Sequence, residues 1–290
     1  NASGAPPGPH MYMVTAACRA GVIGSFPTAN CRTVEELDVW LAEIRQATEG
    51  TAPFCPNLIV HRSNPRVQDD LAAVLRAKAE IVITSVGSPE PVMKPLKDSG
   101  CLVLADVASV RHAEKAVAAG VDGLVLLTAG AGGQTGWVNP FAFVRAVRRF
   151  WDGIVVMAGG MSDGHAVAAA ETLGCDLAYM GTKFIATRES LAKPAYKDML
   201  VTSAARDLLP TKAFSGITAS MLRPSILANG MDPDNLPDKR DIDFDYNSEG
   251  RRCDVDDGSG RHDIPNLCSA DTVRCWLGCV PWRYQQCLYQ

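Results

Sequence analysis

From Val22 to Thr187, short continuous apolar runs alternate with longer amphipathic ones. Seven of the apolar runs read as strands: Val22–Phe26, Pro56–Val60, Ile81–Val86, Cys101–Val107, Asp122–Thr128, Ile154–Ala158 and Leu177–Gly181. Runs that are apolar at successive positions, rather than at every second one, fit strands covered on both faces, as in a parallel sheet. The segments between them carry helix punctuation. Thr33-Val34-Glu35-Glu36 reads as a capping box, and Val34, Leu37, Trp40, Leu41 and Ile44 then share one helix face. Asn139-Pro140 reads as an N-cap followed by a first-turn proline, with Phe141, Val144 and Val147 as the inward stripe. Gly120 and Gly174 each follow a helical pattern where a left-handed C-cap fits.

This alternation predicts an α/β fold, a (β/α)8 TIM-type barrel. Seven visible strands are one short of closure. The eighth would precede the helix Tyr12–Arg19, where only a loop-like, Gly/Pro/Ala-rich stretch is found. The expectation is therefore a barrel lacking a regular first strand. An open doubly wound sheet with helices on both faces is the competing architecture, and periodicity does not separate the two. The organisation expected is an irregular segment over 1–11, a barrel core over 12–190, an extension over 191–250 and an atypical Cys/Trp-rich tail over 251–290. Within the extension, Lys193–Leu209 reads as helix, Ala213–Ala228 as mixed and Gly230–Asn247 as a Pro/Asp-rich loop.

Composition narrows the function. Hydrophobic residues make up 47% of the 290, enough for a large core. The net charge is −4, and no basic stripe with interleaved aromatics occurs, which argues against nucleic acid as a partner. No apolar run is long enough to cross a bilayer, and the first ten residues lack the pattern of a signal peptide, so no membrane partner and a cytoplasmic location are expected. Cys18, Cys31, Cys55, Cys101 and Cys175 are spaced like ordinary buried thiols, whereas Cys253, Cys268, Cys275, Cys279 and Cys287 crowd the tail. None of His10, His61, His112, His165 and His262 has metal-ligand spacing with another. Cys275 and Cys279 lack a matching second pair, so no metal is expected.

Candidate chemistry gathers at the carboxyl ends of strands. After the run Asp122–Thr128 comes Ala129-Gly130-Ala131-Gly132-Gly133-Gln134-Thr135-Gly136, whose small residues let backbone approach a ligand closely. After Ile154–Ala158 comes Gly159-Gly160-Met161-Ser162-Asp163-Gly164 at a helix start, which suits a phosphate. Met180-Gly181-Thr182 ends the last strand, and two successive glycine-bearing ends form the phosphate site of many such barrels. Asn57 and Asp106 are polar residues inside apolar runs. Each either reads the edge of a planar ligand or satisfies a buried protein group.

Taken in order, Ala17-Cys18-Arg19-Ala20-Gly21-Val22-Ile23-Gly24-Ser25, Pro56-Asn57-Leu58, Ile83-Thr84-Ser85-Val86-Gly87, Gly123-Leu124-Val125 through Gly133, Val156 to Gly164 and Ala178 to Phe184 resemble the nitronate monooxygenase (2-nitropropane dioxygenase) family. The likeness runs from about Met13 to Asp243. It implies FMN as cofactor, a small alkyl nitronate such as propionate 3-nitronate as substrate, dioxygen as oxidant and a homodimer as a candidate assembly. By position it implies that Asn57 contacts the flavin ring, that Gly159, Gly160, Gly181 and Thr182 hold the phosphate, and that the loop Gly130–Gln134, with Gly132 and Gly133, lines the substrate side. Asp106, Ala129 and Met180 join them as candidate cofactor-binding residues. Many family members carry histidine where this chain has Gln134. Glutamine cannot take a proton at neutral pH, which favours an already anionic nitronate over a neutral nitroalkane. Related barrels share the glycine motifs, so an FMN-dependent NAD(P)H reductase of enoyl or quinone type is the alternative activity. A barrel remnant with impaired flavin binding is the third reading, since the family's opening Ala-Pro-Met strand and its closing Ser-Ala-Gly segment have no match here.

Overall fold

The computed structural model describes residues 9–190, 192–238 and the pair 279–280. The opening segment, the end of the Pro/Asp-rich loop and the rest of the cysteine-rich tail lie outside the described residues.

Helix α1 (Pro9–Arg19) leads into β1 (Gly24–Pro27). Then α2 (Val34–Ala47), β2 (Phe54–Ile59), α3 (Val67–Arg76), β3 (Ile81–Ser85), α4 (Glu90–Asp98) and β4 (Leu102–Val107) follow in strict alternation. The series continues through α5 (Val110–Ala118), β5 (Gly123–Leu127), a two-residue strand β6 (Gly133–Gln134), α6 (Pro140–Val147), β7 (Ile154–Ala158), α7 (Gly164–Leu173) and β8 (Leu177–Tyr179). The main sheet runs β1-β2-β3-β4-β5-β7-β8, every neighbouring pair parallel.

Two apolar clusters show that this sheet curls. Cys55, Ile83, Leu104, Val125, Leu127, Val156, Ala158 and Tyr179 meet inside it. The alternate residues of the same strands, among them Val82, Val103, Leu124, Leu126 and Val155, pack outward in one cluster with the helices. Side chains alternate across a strand, so an inner and an outer set from each strand is what a barrel wall requires. Helices on both faces would split the outer set, and the open-sheet alternative falls on that observation. β1 and β8 share no backbone pairing. Instead the Tyr179 hydroxyl donates to Ser25 Oγ at 3.2 Å, a buried bond joining residues 154 apart. On its other edge β8 takes a short antiparallel partner, Cys279–Val280, from the tail. A regular parallel first strand is absent among the described residues, and this short tail strand, β11, stands beside β8.

Local signals act as the sequence implies. Thr33 Oγ1 accepts from Glu36 N at 3.1 Å, although Glu36 reaches back to Arg32 N rather than to the cap residue. Asn139 Oδ1 accepts from Phe141 N at 2.9 Å. Gly174 closes α7 with φ +103°. Two aspartates repeat one device at the amino ends of strands. Asp122 accepts from Val103 N and pairs with Lys97; Asp176 accepts from Val155 N at 2.8 Å and pairs with Arg148 at 2.6 Å. Each locks a strand to its neighbour and to a helix, on the barrel face that carries stability rather than chemistry.

Two expectations need correction. The inward stripe of α6 is Phe143, Val144 and Val147, while Phe141 is 60% exposed. At 3.6 residues per turn, Phe141 lies roughly 110° around the helix from the centre of that stripe. Lys193–Leu209 is not one helix. α9 (Pro194–Thr202) stops, a 3-10 turn follows, and β9 (Leu208–Thr211) begins. β9 and β10 (Ala219–Leu222) pair antiparallel, and β10 also pairs β6, ahead of α10 (Arg223–Ala228). The helical reading fails because pairing of β9 with β10, across the turn 212–218, outweighs the local helical pattern.

Candidate functional site

The carboxyl end of the barrel is built by the turns after β1 to β5, β7 and β8. The β1 turn is held by a buried network. Thr28 Oγ1 donates to Asp70 Oδ2 at 2.8 Å, Arg66 pairs with Asp70 at 2.9 Å, and Arg66 also donates to the Cys31 and Arg32 carbonyls. Burial raises the Asp70 pKa, and the Thr28 hydroxyl followed by the Arg66 charge works against that rise. In this turn both amide atoms of Asn30 are buried with no partner. Sequence reasoning missed Asn30. Its only signal is a polar amide just past a strand end.

The turns after β5, β7 and β8 converge. Gly160 N donates to Gly130 O at 3.2 Å. Thr128, fully buried, donates through Oγ1 to Ala158 O at 2.9 Å and ties β5 to β7 beneath those turns. A methyl placed on Gly132 would lie 2.4 Å from Thr182 Oγ1, so the β5 loop rests on the start of α8 (Thr182–Ile185). Gly130 (φ +94°) and Gly160 (φ +68°) sit in the left-handed region, and a Cβ on either would meet nothing within 4 Å. Backbone is therefore presented to open space at both turns.

The predicted residues separate into those brought together and those not. Ala129, Gly130, Gly132, Gly160 and Thr182 are exposed at the mouth, with Gly159 and Gly181 half-buried beside them. Gly133 and Gln134 form β6, so the β10 edge fixes Gln134 over the loop, opposite Ala219. Met180 does not join them. Its side chain packs with Val167 and Ala178 in the helical layer, leaving only backbone to face a ligand. The amino end of α7 is already served by Asp163, whose carboxylate accepts from Ala166 N at 2.9 Å and is held below the usual range by that bond.

Inside the barrel, Asn57 and Asp106 occupy inward positions, two residues beyond Cys55 and Leu104 of the inner cluster. Asn57 Oδ1 accepts from Ser85 Oγ at 2.7 Å. Both Asp106 oxygens are shut from solvent and make no hydrogen bond, the only such carboxyl group among the described residues. Burial pushes its pKa up to about 8, with the Asn57 amide pulling weakly the other way.

Other chemistries find little support. The five described cysteines are buried thiols. Burial raises Cys18 to about 11 and Cys101 and Cys175 to about 12, and pushes Cys31 up too. None of these four is a thiolate nucleophile at neutral pH. No group of three metal-binding side chains and no helix long and apolar enough to cross a membrane occurs among the described residues. A cleft of about 790 Å³ lies at the opposite end, by α2, α3 and the start of β2. Its arginines are already engaged, Arg45 with the Ala77 and Lys78 carbonyls and Arg76 with Asp38.

Comparison with known proteins agrees with this geometry. A family model described as nitronate monooxygenase matches residues 66–237. A nitronate monooxygenase from Paraburkholderia phytofirmans is 35% identical over 173 residues, covering 56% of this chain and 47% of that protein. A carboxyl-CoA dehydrogenase of a methyl-oxo-octahydroindene from Rhodococcus jostii is 26% identical over 220 residues, 76% of this chain and 60% of that protein. FabK from Thermotoga maritima is 31% identical with a TM-score of 0.70, covering 78% of this chain and 72% of that one. Nitroalkane oxidase from Streptomyces ansochromogenes is 25% identical with a TM-score of 0.68, covering 77% and 75%. This chain spans about half the length of the P. phytofirmans relative. A curled parallel sheet, glycine turns converging at its carboxyl end and a family match across more than half the sequence give one conclusion: the chain belongs to the nitronate monooxygenase family.

Proposed function

We propose that this chain binds FMN across the carboxyl ends of its strands and oxidises small alkyl nitronates, such as propionate 3-nitronate, with dioxygen. Convergence of the turns carries the reading. The Gly130 and Gly160 backbones face open space beside the Gly132–Thr182 contact, and both Asp106 oxygens are buried with no well-formed hydrogen bond. These features fit a phosphorylated, planar guest. Gly159, Gly160, Gly181 and Thr182 would hold the phosphate. Asn57 and Asp106 would meet the ring, and Ala129, Gly130, Gly132, Gly133 and Gln134 would border the substrate. Bound FMN would supply the electron chemistry between substrate and dioxygen.

The protein groups orient and select. Gln134, held by β10, can donate and accept hydrogen bonds but cannot abstract a proton, so it suits a substrate that arrives as an anion. FabK, an enoyl reductase, covers 78% of this chain and favours a second reading, an FMN-dependent reductase with a nicotinamide donor. Anaerobic mixing of FMN-loaded protein separates the two. Bleaching of the flavin by propionate 3-nitronate supports the first reading; bleaching by NADH or NADPH alone supports the second. Protein that stays colourless after incubation with FMN refutes both.

A further inference from the structure

At the carboxyl end of the inner wall β1 to β4 contribute polar residues, Ser25, Asn57, Ser85 and Asp106, above the apolar Cys55, Ile83 and Leu104, whereas β5 and β7 stay apolar through Val125, Leu127, Val156 and Ala158. Three of the four polar side chains have partners within the wall. Ser25 accepts from Tyr179, and Ser85 donates to Asn57. Asp106 has no well-formed hydrogen bond, and only the neighbouring Asn57 amide favours its charged form, while solvent does not reach its oxygens. A buried ionised carboxylate without a partner is among the costliest arrangements a fold can hold. No cation is placed to relieve it. From β3 and β5 the inward neighbours are Ile83, Ser85, Val125 and Leu127, none of them titratable. The inner titratable groups are Cys55 and Tyr179, neither of which brings positive charge. The helices packed on β4 are α4, with Glu90, Lys94, Lys97 and Asp98, and α5, with Arg111, His112, Glu114 and Lys115. They lie in the outer layer, where Lys94 pairs with Asp98 and Lys97 with Asp122.

We propose that Asp106 is held as a neutral carboxylic acid and donates its proton in a hydrogen bond to an acceptor atom on the flavin ring. This rests on the flavin reading above and adds to it a protonation state and a direction of the bond. Opposite signs of pH dependence separate it from the reverse arrangement, in which a ring N–H donates to a carboxylate. A donor acid loses the ligand as it ionises; an acceptor carboxylate gains it.

The test has two arms. Infrared difference spectra of ligand-free wild type against Asp106→Asn record the acid itself, with Asp106→Leu as the reference if the asparagine variant does not fold. A protonated-carboxyl stretch at neutral pH that converts to carboxylate near pH 8 is expected; a carboxylate band at neutral pH overturns the proposal. Fluorescence titrations with FMN and with riboflavin, which has no phosphate to titrate, then read the bond. Wild-type Kd for both is expected to rise about tenfold per pH unit above the carboxyl pKa, and Asp106→Asn to stay level. A level wild-type profile, or tighter binding as pH rises, overturns the donor role. Failure of FMN to bind at any pH refutes the flavin reading and the donor role with it, while the infrared arm still reports the acid separately.

Discussion

Replacing Asp106 by asparagine tests the energetics of the buried carboxyl with no ligand present. Burial raises this group to about 8 in the folded protein, against about 3.9 for an aspartate in an unfolded chain. Stability falls with pH wherever the native state binds more protons than the unfolded one. Below about pH 4 both states hold the proton, and the contribution is fully present. It is lost as pH rises through the window from there to about 8. The slope is at most about 1.4 kcal/mol per pH unit. Asparagine is neutral throughout and has no such slope. Between about pH 6 and pH 8, wild type is therefore expected to lose about 2 kcal/mol relative to Asp106→Asn. The asparagine amide carries a cost of its own, about 1–3 kcal/mol for unmet hydrogen bonds, which offsets the curves without tilting them. Urea unfolding of both ligand-free proteins at several pH values across this window measures the tilt. Parallel curves would refute the reasoning, because a carboxyl reached by water or by a cation has no reason to keep its proton.

Three further outcomes follow from the site's packing. Gly159→Ala should lower Tm markedly and cost about 2–3 kcal/mol, because φ is +129° and the new methyl would lie 2.3 Å from Thr128 Oγ1; an unchanged melting curve would deny that close approach. Gly132→Ala should weaken FMN binding by pushing on Thr182 Oγ1, and the loss should be smaller in a Thr182→Ala background. A double-mutant cycle that is additive would place the two residues apart. Tyr179→Phe should destabilise by about 1 kcal/mol and speed amide exchange along β1 and β8, since it removes the side-chain bond between those strands. Wild-type exchange rates there would show that the seam is held by something else.

Much of the fold was legible because its signals are local. The seven strands were found within a few residues of their ends, since a doubly covered strand must be apolar along its length. The caps Thr33, Asn139 and Gly174 were legible because capping is settled within one helical turn. The glycine turns at Gly130, Gly132, Gly159 and Gly160 could be read as strand-end features, and so could Asn57 and Asp106 as polar interruptions of apolar runs. Asn30 could not, because a loop amide reveals nothing until its surroundings fail to meet it. The strand β9 was hidden inside a helical pattern, because its pairing with β10 across the turn 212–218 leaves no mark in its own four residues.

Amino-acid order alone thus determined the repeating strand–helix unit, the caps and the glycine-bearing turns, all of which follow from periodicity and steric freedom within a few residues. Tertiary structure alone decided that the sheet curls, that the turns after β5, β7 and β8 touch, and that both Asp106 oxygens are shut from solvent. Each of these depends on groups brought together from distant parts of the chain, and solvent exclusion and side-chain contact are properties of that assembled space rather than of any one segment.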